Sequence, residues 1–206
     1  MNKGEDKTMQ KIPVEYKRKK DKMNDEMFMR LANNVSEFSS CARVQVGAVL
    51  VVDNRPLISG YNGTPKGHKH CIDIYKAKYE EYKKQADHDP DMAQSFEDFM
   101  NLPEIREEHG KFSRLHEVHA EINIVAQAAF KGLATKGATL YVTHSPCNDC
   151  CKSILTAGIK EVVFLNLYDR ETEGLEILAE SGVTIRQLTL DKTGFVTENV
   201  WYSKEA

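Results

Sequence analysis

Apolar positions along the chain fall into stretches of clear period. From Asp25 to Phe38 they recur as Met27, Phe28, Leu31, Ala32, Val35 and Phe38, which lays one stripe along a helix ending at Ser39-Ser40. Val46 to Val52 is a β-branched run, broken by Asp53-Asn54-Arg55-Pro56 and resumed from Leu57 to Tyr61, the pattern of a hairpin. Asn62 to Gly67 follows as a turn-rich loop. Residues 71–113 interrupt this rhythm with a polar, Lys- and Glu-rich stretch, where Tyr75, Tyr79, Tyr82 and Ala86 stripe a surface helix. An insertion of that kind reads as a lid or a subunit contact. Alternation then becomes regular: helix Glu121 to Phe130, strand Ala138 to Thr143, helix Cys147 to Thr156, strand Glu161 to Leu165, helix Glu171 to Glu180, strand Val183 to Leu188. Short links between alternating elements predict an α/β fold with a central sheet covered by helices on both faces.

At 206 residues the chain supports one sizeable core, read as a single domain over residues 23–206 behind a basic arm at 1–22. No apolar run approaches the roughly 18 residues of a membrane span, and the charged start has no apolar stretch behind it, so neither membrane nor secretion is expected. A cytoplasmic setting follows, where the five cysteines stay reduced and favour metal or catalytic roles. Net charge is −3, yet residues 1–22 carry eight Lys or Arg against four Asp or Glu, leaving the remainder acidic. That balance speaks against a nucleic-acid polymer as partner. The Lys17-Arg18-Lys19-Lys20 run reads as a solvated arm.

Two short motifs carry chemistry. One is His119-Ala120-Glu121; the other, 25 residues after that glutamate, is Pro146-Cys147-Asn148-Asp149-Cys150. Cys147 and Cys150 are three apart at a helix start, so both lie on one face and can bite one ion. There the dipole and free amides favour thiolates. His119 and Glu121 would point about 200° apart on a regular helix, so at least one stands outside it. Three protein ligands leave a tetrahedral zinc one open position for water, and a nearby carboxylate then serves as proton carrier. Alone, C-x-x-C is equally a redox pair or half of a structural zinc site, and H-x-E says little. Cys151, adjacent to a ligand, reads as a small packed side chain.

Together the two motifs resemble the H-x-E and P-C-x-x-C signature of zinc nucleobase deaminases. Val46-Gly47-Ala48-Val49, Gly60-Tyr61-Asn62-Gly63-Thr64-Pro65, His119 to Asn123, Leu140-Tyr141-Val142-Thr143 and Pro146 to Cys150 stand in the order found in the deoxycytidylate (dCMP) deaminase family. The resemblance implies a three-layer α/β/α cytidine-deaminase-like fold with a central mixed five-stranded sheet, and conversion of dCMP and water to dUMP and ammonia for thymidylate synthesis. It places a catalytic Zn²⁺ on His119, Cys147 and Cys150, with Glu121 shuttling protons. It also implies a homo-hexamer activated by dCTP and inhibited by dTTP, Mg²⁺ accompanying a nucleotide effector, and effector contacts from Gly60, Tyr61, Asn62 and Gly63. Asn62, Asn123, Ser145 and Tyr168 are the candidates around sugar and base, and Arg43 for the phosphate. Likeness to bacteriophage-type members adds a second, structural zinc on Cys41, Cys71, His109 and Glu117, although His109 before Gly110 also fits a helix end. The alternatives are a deaminase of dCTP or of a free nucleoside, and a non-catalytic zinc-stabilised nucleotide-binding module.

Overall fold

A computed structural model describes residues 11–12, 19–85, 93–168, 170–191 and 194–201. Helix α1 spans Lys19–Ser36 and leads to strands β2 (Gly47–Val52) and β3 (Arg55–Tyr61), the numbering leaving β1 for the two-residue strand Lys11–Ile12. Asp53 and Asn54, both at positive φ, make the tight turn between β2 and β3 that a right-twisted hairpin requires. Three helices follow, α2 (Cys71–Gln85), α3 (Phe96–Asn101) and α4 (Pro103–His116). Then come α5 (Ala120–Phe130), β4 (Thr139–His144), α6 (Asn148–Thr156), β5 (Glu161–Asn166), α7 (Glu173–Glu180), β6 (Thr184–Asp191) and β7 (Gly194–Trp201).

The sheet runs in the order β1-β7-β6-β5-β4-β2-β3, parallel across β4, β5 and β6 and antiparallel elsewhere. The expected mixed five-stranded sheet, β6-β5-β4-β2-β3, is there, and two further strands extend it to seven. β7 folds back antiparallel on β6, and β1 closes that edge by pairing Ile12 with Val200. Lys11 and Ile12 of the basic arm thus belong to the sheet, and Lys19 and Lys20 open α1; Lys17 and Arg18 lie outside the described residues.

Helices cover both faces, as the alternation implied. On one face α1 packs Phe28, Met29 and Ala32 over Val49, Val51, Tyr141, Val163 and Leu165. On the other, α5, α6 and α7 bury Ile124, Ile154, Leu175 and Leu178 against Leu50, Leu140, Val142, Val162, Phe164 and Ile185. Arg186 on β6 is 12% exposed and reaches both Asp25 on α1 (2.5 Å) and Glu161 on β5 (2.7 Å), tying the helix to the sheet edge-on. The α2 to α4 segment is more than a surface helix. It has its own core, in which Tyr75 is fully buried and Tyr79 and Tyr82 stack around Phe99; Ala86 lies outside the described residues. Among the described residues no helix is long and apolar enough to cross a membrane.

Candidate metal centre and active site

Each cysteine and histidine of the two motifs is delivered by a helix start. His119 is the N-cap of α5, with extended backbone (φ −69°, ψ 152°), and Cys147 is the N-cap of α6 (φ −71°, ψ 171°). That puts His119 outside the helix while Glu121 sits in its first turn, which removes the 200° divergence between them. Cys150 follows one turn into α6, and α6 itself starts at the C-terminal end of β4, in the parallel part of the sheet where crevices form.

His119 Nδ1 lies 3.4 Å from both Cys147 Sγ and Cys150 Sγ. A tetrahedral zinc with ordinary Zn–N and Zn–S bonds sets that N···S edge at about 3.6 Å, so the three donors fit one ion as they stand. Without a cation the two thiols share one negative charge. The Cys150 thiol, donating to Cys147, holds Cys147 down at about 4, and the same pairing followed by burial pushes Cys150 up. His119 is raised to about 9, chiefly by its hydrogen bond with Cys147. Glu121 is 4% exposed, and burial pushes its carboxyl pKa up. A buried carboxyl of raised pKa beside a nitrogen and two sulfurs is suited to holding and passing a proton.

A second group forms where Cys41 (after α1), Cys71 (first residue of α2), His109 (inside α4) and Glu117 (the C-cap of α4) converge, all four donor atoms lying within 4.8 Å of one another. His109 Nε2 is 3.6 Å from Cys41 Sγ and 3.4 Å from Cys71 Sγ. Gly110 does not end the helix, which continues to His116. Glu117 Oε1 is buried with no hydrogen-bond partner among the described residues, and burial pushes the carboxyl pKa up. Cys41 is held down at about 3 by the Cys71 thiol, which is itself raised. A buried carboxyl oxygen without a hydrogen-bond partner, beside two sulfurs and an imidazole, is a donor set that fits a divalent ion.

The remaining candidates are distributed unevenly. Asn62 is buried and largely consumed by its own loop: Oδ1 accepts from the Ser39 hydroxyl (2.7 Å) and the Val46 N–H (2.8 Å), and Nδ2 donates to Val44 O (2.9 Å). Asn123 Nδ2 donates to Tyr61 O at 3.0 Å, leaving its own carbonyl oxygen. Gly60 packs against α5, and Gly63 (φ +150°) exchanges two backbone hydrogen bonds with Val118 while lying against Ser40. Of this loop only Tyr61 is exposed. Ser145 is buried, and its Oγ accepts the Tyr168 N–H at 2.7 Å, which fixes the segment after β5 beside Pro146 and Cys147.

Arg43 is half-buried, and burial, followed by the like charges of Arg106 and Arg170, lowers its pKa. Arg106 and Arg170 carry no motif, so spacing could not have pointed to them. Glu171 and Asn148 were missed as well. Glu171 Oε2 accepts the Asn148 N–H (3.2 Å) at the start of α6, and Asn148 Oδ1 accepts the Gly174 N–H (2.7 Å) at the start of α7. Cys151 is buried, its Sγ 3.6 Å from Pro146 O, and burial pushes it to about 12, in keeping with packing.

The family described as "Cytidine and deoxycytidylate deaminase zinc-binding region" matches residues 22–166. The deoxycytidylate deaminase of Enterobacteria phage T4 is 35% identical over 168 residues, 76% of this chain and 86% of that one. Its counterpart from Enterobacteria phage T2 is 34% identical over 165 residues, covering 76% and 88%. The crystal structure of dCMP deaminase from the cyanophage S-TIM5 in complex with dCMP and dUMP superposes with a TM-score of 0.57 at 29% identity, over 84% of this chain and 99% of that chain. The two motifs, the layered sheet that brings them together and these likenesses converge: the chain belongs to the cytidine and deoxycytidylate deaminase family.

Proposed function

We propose that this chain is a zinc-dependent enzyme that hydrolyses dCMP to dUMP and ammonia. One observation carries the reading: His119 Nδ1 stands equally close to Cys147 Sγ and Cys150 Sγ, with the buried Glu121 in the first turn of the helix that His119 caps. His119, Cys147 and Cys150 hold the ion. When bound there, zinc acidifies water toward a pKa of about 7 and so supplies hydroxide at neutral pH. With the ion in place, the Glu121 carboxylate would take one proton from the water and deliver it to N3 of the cytosine; it would then take the second from the hydroxyl newly bonded to C4 and pass it to the amine, so that the C4–N bond breaks, ammonia leaves and the C4 carbonyl forms. The Asn123 carbonyl, the Ser145 hydroxyl and Tyr168 orient sugar and base, while Asn62 holds the loop that carries Arg43. Arg43, Arg106 and Arg170 supply the charge that meets the 5′-phosphate.

The Cys41, Cys71, His109 and Glu117 group takes a second zinc, closed by four protein ligands as structural sites are. The chain acts as one deaminase domain in which residues 71–113 contribute two of those ligands. A cytoplasmic homo-hexamer completes the reading. The exposed rings of Phe38 and Tyr61, 6.2 Å apart, together with the exposed Phe130, are apolar surface for subunit contact. dCTP with Mg²⁺ activates and dTTP inhibits, with Tyr61 as the contact from the 60–63 loop. Turnover of dCMP, dCTP and deoxycytidine tests the substrate: dCMP should be preferred, and equal rates on the nucleoside would contradict a phosphate pocket.

A further inference from the structure

The four-ligand group and the arginine cluster share their backbone. Arg43 follows Cys41 by two residues, and Arg106 precedes His109 by three on α4, so the two side chains leave neighbouring positions of that helix. The loop between α1 and β2 is tied near both ends by Asn62, which binds Ser39 at its start and Val44 and Val46 at its close. Nearer its middle it is held by the ligand group itself: the Cys41 N–H donates to Ser39 Oγ, the Ala42 N–H donates to Cys71 Sγ at 3.4 Å, and Cys41 Sγ faces the His109 ring. Arg43 is the next residue. Among the described residues neither Arg43, Arg106 nor Arg170 joins a salt bridge. Arg106 and Arg170 act on Arg43 as like charges, which repel one another until an anion arrives.

We propose that the Cys41, Cys71, His109 and Glu117 group, in holding its ion, is the positioning device for phosphate recognition: it fixes the Arg43 loop against α4 and thereby sets the preference for a nucleoside monophosphate over a nucleoside. The inference rests on the reading of dCMP as substrate. Cys41 and His109 are positioning residues, acting through Arg43 and Arg106. Removing the ion frees the Cys41 thiolate from α4, and the loop carrying Arg43 relaxes away from Arg106.

The test is the ratio of kcat/KM for dCMP to that for deoxycytidine, with zinc content and dUMP affinity by calorimetry measured alongside. His109→Gln should lower zinc from about two ions per chain to about one. The ratio should then fall about tenfold or more, mainly through the KM for dCMP, and dUMP should bind correspondingly weaker. Arg43→Gln should produce the same fall, and the double variant should be little worse than either alone, because both remove one interaction. Glu117→Gln, which preserves side-chain volume, should repeat the result and decides the matter if His109→Gln does not fold. Loss of the second ion with the ratio and the dUMP affinity as in the native protein, or with both substrates slowed alike and the two substitutions multiplying, would overturn the inference. Native protein that takes deoxycytidine as readily as dCMP would overturn the substrate reading instead, and this inference with it.

Discussion

His119 shows how one position carries several demands. Its place at the N-cap of α5 frees the ring from the helix, lets Nδ1 reach both thiols, and leaves Glu121 to approach from the first helical turn. Near neutral pH the ion-free site holds a charged His119, a Cys147 thiolate and a Cys150 thiol, since these groups stand at about 9, at about 4 and above the usual thiol range. Coordination needs a neutral imidazole and two thiolates, so about two protons must leave for each ion taken up. Zinc affinity at this site should therefore climb steeply from pH 6 to pH 8 and fall as acid is added. Calorimetry in buffers of different ionisation enthalpy counts those protons, and uptake with none released would contradict the assignment. A half-buried group at the end of β4 makes a separate claim. Burial lowers the His144 pKa, so the folded chain binds fewer protons than the unfolded one below about pH 6.5, and this residue costs stability as pH falls through that value. His144→Phe should flatten the acid limb of a stability-against-pH curve.

At the scale of elements, two close approaches hold the site in place. A Cβ on Gly47 would lie 2.0 Å from Ala32 O and 2.5 Å from Ser36 N, so β2 and α1 meet backbone to backbone there. Gly47→Ala should cost at least about 3 kcal/mol in denaturant unfolding, because neither backbone can give way. A Cβ on Gly174 would meet Cys151 Sγ at 2.8 Å and Asn148 Oδ1 at 2.9 Å. Gly174→Ala should move the start of α7 off α6, break the bond to Asn148 and speed zinc loss from the Cys147 side, which chelator-competition kinetics would report. The helix and strand order from α5 to β6 was legible because amphipathic helices alternate with short apolar runs, of which β4 and β5 are buried on both faces. β7 lay beyond the last strand expected, and its pairing with β6 and β1 is a backbone matter that side-chain period does not announce. The α2 to α4 segment misled in another way: its Lys and Glu residues hide three tyrosines that build a separate small core.

For the molecule as a whole, the His119, Cys147 and Cys150 group was readable from spacing, since C-x-x-C and H-x-E are local patterns set by helix geometry. The second group was not, because Cys41, Cys71, His109 and Glu117 come from four places and only the resemblance pointed to them; the fold then brings all four within 4.8 Å. Arg106 and Arg170 escaped altogether, as charge in a sequence carries no address. Metal analysis of freshly purified protein should give about two zinc ions per chain, and a value near one would remove the second site. The measurement that bears most directly on the whole account pairs turnover with metal content in the native chain and in Glu121→Gln. The native protein should carry zinc and release dUMP and ammonia from dCMP; the variant should carry as much zinc and lose at least about a hundredfold in rate, the low end of what a positioned proton carrier supplies. Native protein with full zinc and no dUMP formed, or a variant as fast as the native chain, would contradict it.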